Sequence, residues 1–132
     1  AASTTMGDPK TVATQFMQHY VSTFATNRPA LAGLYNDQST LAWEADQKKA
    51  DEHKGSAAIV AKMSLLPAGT QLNPRSIDVQ MAAPDAILVM ATGQMLIGGE
   101  ANPLQYAHTW QLKAIGPGQF YIHNEIFRLI YS

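Results

Sequence analysis

The sequence predicts an α+β fold, a strongly bent antiparallel sheet wrapped around three helices as a half-open cone. Three observations lead there. Apolar residues recur at helical spacing in the first half of the chain, and strand alternation takes over from Asn73 onward. Helices first and a meander afterwards is the α+β order. Finally, one long sheet faces little helical material, so it must curl to cover itself, and the mouth of the curl is a pocket.

The elements follow in order. Asp8-Pro9 starts the first helix, because Asp accepts from free N–H groups and Pro suits the first helical position. Val12, Phe16, Tyr20 and Phe24 form its apolar stripe, with Ala13, Met17 and Val21 beside them. Asn27-Arg28-Pro29 breaks it and opens a short second helix carrying Leu31, Leu34 and Tyr35. Leu41, Trp43 and Ala45 alternate as a strand, and residues 46–54 read as a polar hairpin with a short return strand. Gly55-Ser56 opens a third helix, with Ile59, Val60, Met63 and Leu66 inward and Pro67 as its stop. Ile77, Val79 and Met81 then alternate, and the run 86–97 follows, with Gly93 marking a bulge or bend. Residues 98–103 and 116–118 are turns around a strand in which Leu104, Tyr106, His108, Trp110 and Leu112 share one face. Residues 119–131 close the sheet. Residues 1–7 are expected to be a disordered lead-in, and 8–132 a single domain.

Composition narrows the function. Nine basic against ten acidic residues give a net charge of -1, which speaks against phosphate-driven nucleic-acid binding and against a polybasic membrane surface. Only 14% of the chain is charged, which favours a buried self-interface or an apolar binding site. There is no cysteine, hence no disulfide, thiolate metal site or Cys nucleophile. No apolar run is long enough for a membrane helix, and the N-terminus lacks the basic start and apolar stretch of a secretory signal. No phosphate loop, nucleophile elbow or His-Glu-x-x-His motif is present, and His19, His53, His108 and His123 lack ligand spacing. No catalytic residue, cofactor or metal is therefore expected.

Trp43-Glu44 is the pair that stands out. Neighbours on a strand point to opposite faces. Two readings stand: a core Trp beside a solvated Glu, or an aromatic wall and an acid at a pocket mouth, set for a cationic partner. The last strand is apolar on both faces around residues 126–130, as expected of a central strand, or of one whose second face meets another subunit.

Phe16-Met17-Gln18-His19-Tyr20, Leu34-Tyr35, Leu41-Ala42-Trp43-Glu44, Gly55 to Lys62, Leu66-Pro67 and Asn124-Glu125-Ile126-Phe127-Arg128-Leu129 stand in one order. Together they resemble the nuclear transport factor 2 family, from about residue 8 to the C-terminus. The resemblance implies a cone fold, a homodimer through the open sheet face, and no enzymatic activity. It also implies a carrier that binds GDP-bound Ran, a small GTPase, and Phe-Gly nucleoporins, moving between cytoplasm and nucleus and concentrated at nuclear pores. An aromatic side chain of the GTPase would enter the apolar cavity. Trp43 matches the cavity wall and Glu44 the rim, while Ile126 and Phe127 match apolar residues close by. The turn at 98–102 supplies Glu100 and Asn102, one acid where the family usually shows two or three. Acids restored at Gly98 and Gly99 are expected to strengthen binding. The family's nucleoporin groove often has an aromatic residue at the start of the first helix. Here that stretch is Pro9-Lys10-Thr11-Val12, which leaves the groove to Val12, Phe16 and neighbours across the dimer.

Two other readings belong beside this one. Similar domains serve as dimerising scaffolds in mRNA-export and RNA-granule proteins. The cone also hosts isomerases and dehydratases, which need paired titratable groups in the pocket. Alternation puts Glu44 and either His108 or His123 nearest such a site. An apolar lining with rim acids supports a carrier; a buried Asp–His or Tyr–Asp constellation supports an enzyme.

Overall fold

A computed structural model describes residues 8–44 and 51–130. The expected lead-in and the tip of the 46–54 hairpin lie outside the described residues. In chain order the elements are α1 (Pro9–Thr26), a 3₁₀ helix (Arg28–Leu34), β1 (Thr40–Glu44), β2 (Asp51–Lys54), α2 (Ser56–Met63), β3 (Gln71–Ala83), β4 (Ala86–Leu96), β5 (Leu104–Gly116) and β6 (Gln119–Leu129). The six strands form one curved sheet in the order β2-β1-β6-β5-β4-β3.

Asp8 caps α1 as expected: its carboxylate accepts from the Thr11 N–H at 3.2 Å and from the Thr11 hydroxyl at 2.8 Å. These bonds hold the Asp8 carboxyl below its ordinary pKa. The buried face of α1 is Ala13, Met17, Tyr20 and Phe24, while Val12 and Phe16 lie half-buried on its flank. The second helix is 3₁₀, buries Leu31, and ends at Tyr35. The third is shorter than its apolar spacing suggests: α2 stops at Met63, and Leu66 packs on the core from the loop beyond. Arg28 ties that loop down, donating to the carbonyls of Leu66 and Pro67 at 2.8 and 2.9 Å while its guanidinium sits 5.3 Å from the Phe24 ring centroid.

β3 to β6 form the expected antiparallel meander, but β1 enters parallel to β6, with Leu41 opposite Glu125 and Trp43 opposite Phe127. Four register shifts interrupt the ladders, two of them next to the β3–β4 and β5–β6 turns and two inside the strands. Of the inner two, the first leaves Arg75 unpaired in β3, and the second leaves His123 unpaired in β6. Gly93 lies opposite the first, where a Cβ would stand 2.2 Å from the Asn73 carbonyl oxygen. The glycine thus allows two backbones to approach as the sheet turns.

The turn after β4 is equally tight. A Cβ on Gly98 would meet the Ala68 carbonyl oxygen at 1.9 Å, and Gly99 has φ +86°. Acids at these two positions, expected above to strengthen binding, would therefore carry a steric cost at Gly98 and a backbone cost at Gly99. The loop that Arg28 holds occupies the space at Gly98, and at Gly99 the left-handed backbone would strain any side chain. Overpacking of this kind costs roughly 1–3 kcal/mol. Gly98→Ala and Gly93→Ala should each lower stability in urea unfolding by that order. Gly33→Ala, with nothing within 4 Å of its added Cβ, should leave stability nearly unchanged.

Candidate functional site

Among the described residues, the inner face of the sheet carries one buried carboxylate. Glu125 alternates inward with Phe127 and Leu129 and is 1% exposed. An isolated buried carboxylate is costly, so it must collect donors. It collects three, each from a different element. Tyr20 of α1 donates to Oε2 at 2.5 Å, Tyr35 after the 3₁₀ helix donates to Oε1 at 2.5 Å, and Nε2 of His108 on β5 lies 2.6 Å from Oε2. The carboxylate only accepts, so Nε2 carries the hydrogen and Nδ1 the lone pair. Among the described residues Nδ1 has no partner. Burial pushes the His108 pKa down and outweighs the opposing pull of Glu125. Burial, and then the charge of Glu125, push Tyr20 and Tyr35 well above the ordinary tyrosine value. Around neutral pH the cluster is thus one carboxylate satisfied by three neutral donors.

His108 is also the hub of an aromatic layer. It stacks on Trp110 at 3.7 Å and stands perpendicular to Phe127 at 5.1 Å and to Trp43 at 6.4 Å. Beyond it, Trp43 of β1 lies flat against Phe127 of β6, centroids 3.9 Å apart at 10°, and Tyr106 of β5 continues the stack at 5.3 Å. Burial pushes the Tyr106 hydroxyl up to about 12.

Register shows what shares the end of the sheet with this wall. Glu44 is opposite Arg128, and Tyr106 is opposite Leu129. The C-terminal ends of β1 and β6 therefore lie beside the start of β5 and the β4–β5 turn, three strand spacings or about 14 Å across. Glu100 and Asn102 stand exposed on that turn. The loop after α2 reaches the same turn, where the Thr70 hydroxyl accepts from the Gly98 N–H at 3.1 Å, and it carries Leu65, 79% exposed. Two cavities of about 320 and 330 Å³ lie elsewhere, one between the end of α1 and this loop, the other between α1 and β3. Neither is lined by Glu125, His108 or the Trp43–Phe127 pair.

Comparison with known proteins assigns the fold. The sequence model of the "Nuclear transport factor 2 (NTF2) domain" matches residues 12–129. The chain belongs to the nuclear transport factor 2 family. Among curated relatives, nuclear transport factor 2 of Oryza sativa is 39% identical over 127 residues, covering 95% of this chain and 99% of that protein. The Saccharomyces cerevisiae protein of that name is 37% identical over 127 residues, covering 95% and 97%. Among solved structures, nuclear transport factor 2 from Cryptosporidium parvum superimposes with a TM-score of 0.81 at 37% identity, covering 94% of this chain and 96% of that one. A yeast complex of the deubiquitinase Ubp3 with its cofactor Bre5 shares the fold, with a TM-score of 0.79 at 24% identity, covering 95% and 99%.

The residues that the family resemblance singles out fall into four groups, one of them Glu100 and Asn102 on the exposed β4–β5 turn. Trp43 and Phe127 come together in the wall. Glu44 sits beside them on the outer face, but its side chain is fully buried rather than solvated, with Arg128 Nη1 3.5 Å from Oε1. Ile126 turns away from the wall, because strand neighbours alternate; it lies 54% exposed on the outer face, in a cross-strand row with Met90, Thr109 and Ala42. On α1, Val12 and Phe16 remain half-buried, and Phe16 meets Trp110 edge-on at 5.4 Å. Sequence reasoning missed the Tyr20–Tyr35–Glu125–His108 cluster, among the described residues the only site of several buried ionisable groups within hydrogen-bonding reach.

The pKa shifts set a pH window. His108 is held below its ordinary 6.5, so the unfolded chain takes up that proton first, and stability falls as pH drops below that value. Tyr20 and Tyr35 are held above their ordinary 10.0, so the unfolded chain loses those protons first, and stability falls as pH rises past that value. Urea midpoints measured across pH should show a plateau between the two. Tyr35→Phe should weaken the alkaline loss and cost roughly 1–3 kcal/mol near neutrality, since it takes a donor from a buried charge.

Proposed function

We propose that the protein is a non-catalytic nuclear transport carrier that works as a homodimer. It binds GDP-bound Ran at the Trp43–Phe127 end of the sheet and Phe-Gly nucleoporins along α1 at Val12 and Phe16, and moves between cytoplasm and nucleus through the pores. The observation that carries this reading is the stacked Trp43–Phe127 pair at the sheet end where Glu44 and the Glu100 turn also lie. Relatives named nuclear transport factor 2, matched over nearly the whole chain, support it. An apolar wall flanked by acids suits an inserted aromatic side chain with basic neighbours.

The buried Tyr–Glu–His cluster meets part of the criterion for the rival reading, an isomerase or dehydratase. Chemistry also needs access for a substrate. Tyr20, His108 and Glu125 are at most 1% exposed, their hydrogen bonds point at one another, and neither cavity reaches them. Trp43 and Phe127 are similarly enclosed, at 5% and 0% exposed, so access does not separate the two readings; the relatives named nuclear transport factor 2 over nearly the whole chain favour the carrier. For the homodimer, the support is the outer sheet face, where Leu88 and Met90 on β4 and Ile126 on β6, either side of β5, are 40–54% exposed.

Titration calorimetry against GDP- and GTP-loaded Ran tests the carrier. Binding should be selective for the GDP form, and Trp43→Ala should weaken it more than tenfold, about 1.4 kcal/mol. Glu44→Gln is the cleaner probe of the acid, because Glu44→Lys would put a second cation against Arg128 in a buried position. Since Gly98 and Gly99 cannot take side chains cheaply, Ala101→Asp is the place to add an acid: it should tighten binding by roughly 0.2–1 kcal/mol at low salt, and less as salt rises. Binding that ignores both Trp43→Ala and Ala101→Asp would remove this end of the sheet from consideration.

Sedimentation should give twice the chain mass at micromolar concentration. Ile126→Lys should shift it to the monomer, without loss of helical signal.

A further inference from the structure

The hydrogen-bonded cluster and the aromatic wall meet at one ring, His108. On one edge its Nε2 is fixed to Glu125 at 2.6 Å. Its faces and remaining edges meet Trp110, Phe127 and Trp43. An apolar ring in this place would be held by packing alone and would leave the Glu125 charge one donor short. The imidazole is held by a directional bond, which fixes its rotation and therefore the plane against which Phe127 and Trp43 rest. We propose that Glu125 and His108 are positioning residues for partner binding: the carboxylate orients the imidazole, and the imidazole sets the Trp43–Phe127 wall in the arrangement that receives a partner's aromatic side chain. The proposal rests on the reading of that wall as the Ran site.

The surroundings limit what can titrate. The ionisable groups facing His108 are Glu125 on β6, Tyr20 on α1, Tyr106 on β5 and, across the carboxylate, Tyr35. Met63 represents α2 with its sulfur 4.0 Å from the Tyr20 hydroxyl, and β1 presents the Trp43 ring. All three tyrosines are held above their ordinary value. Among these groups His108 is held below its ordinary value by its burial, so it stays neutral in the folded protein at neutral pH. Protonating His108 would place an N–H on Nδ1, which has no acceptor within the layer.

The test compares His108→Gln and Glu125→Gln with Tyr35→Phe. The last removes a donor from the other carboxylate oxygen and leaves the His108 contact intact. All are measured where urea titration shows them folded. Near-ultraviolet circular dichroism follows the Trp43 band, isolated by subtracting a Trp43→Phe spectrum, and calorimetry follows affinity for GDP-loaded Ran. Tyr35→Phe should lower the urea midpoint, keep the Trp43 band and bind within about twofold of the parent. His108→Gln and Glu125→Gln should lose the band and bind at least tenfold more weakly. His108→Gln carries the test even when Glu125→Gln fails to fold. An unchanged band and affinity in His108→Gln overturns the proposal, as does a Tyr35→Phe variant that loses both as fully. A Trp43→Phe protein that binds Ran as the parent does overturns the site reading and with it the binding half of the proposal. The Trp43 band of His108→Gln then still decides whether the pair sets the wall.

Discussion

A buried negative charge organises this molecule. The Glu125 carboxylate has no water to turn to, and its donors come from α1, from the end of the 3₁₀ helix and from β5. Each donor fixes one layer to the sheet. The helix can neither slide along the strands nor rotate without giving up the Tyr20 bond, and the 3₁₀ segment is held through Tyr35 in the same way. Apolar packing tolerates small shifts; a carboxylate with three donors does not, because each lost bond leaves a charge less satisfied in a low-dielectric core. The wider core of Met17, Phe24, Leu31, Ile59 and Leu112 supplies most of the burial, but the polar cluster makes one arrangement of it preferred.

From that anchor the geometry spreads outward. His108 passes the constraint to the aromatic layer, and the layer passes it to β1 through the Trp43–Phe127 stack. At the far side, Arg28 secures the loop after α2, and that loop presses against the β4–β5 turn at Gly98. The sheet end with the wall is thus framed by elements that are each fixed from elsewhere. Glu44 completes the frame with its buried carboxylate beside Arg128.

Much of this was legible in the sequence. The cap at Asp8, the break at Asn27-Arg28-Pro29, the meander and the alternation on β5 follow from local chemistry and the period-two rule, and the ordered motifs pointed to the family. What was not legible depended on contacts distant in sequence. Glu125 was in phase with Phe127 and Leu129, and His108 with Tyr106 and Trp110; a charged group on an inward phase demands partners. Nothing local says that those partners are tyrosines on α1 and beyond the 3₁₀ helix, because the bonds span 105 and 90 positions. Gly98 gave no hint of its neighbour for the same reason. Ile126 and Phe127 were grouped as sequence neighbours, whereas the strand sends them to opposite faces.

The parallel placement of β1 has a consequence for how the chain folds. β3 to β6 are joined by short turns, so their pairings form between near neighbours. Glu44 and Arg128 are 84 positions apart, and the loop between them includes α2 and the whole meander. Closing a loop of that length costs entropy that local hairpins avoid, which favours docking of β1 after β6 has paired with β5. Until then the open edge of β6 is a template for another chain. The stage before β1 closes that edge, rather than the finished sheet, is where pairing with another chain is easiest.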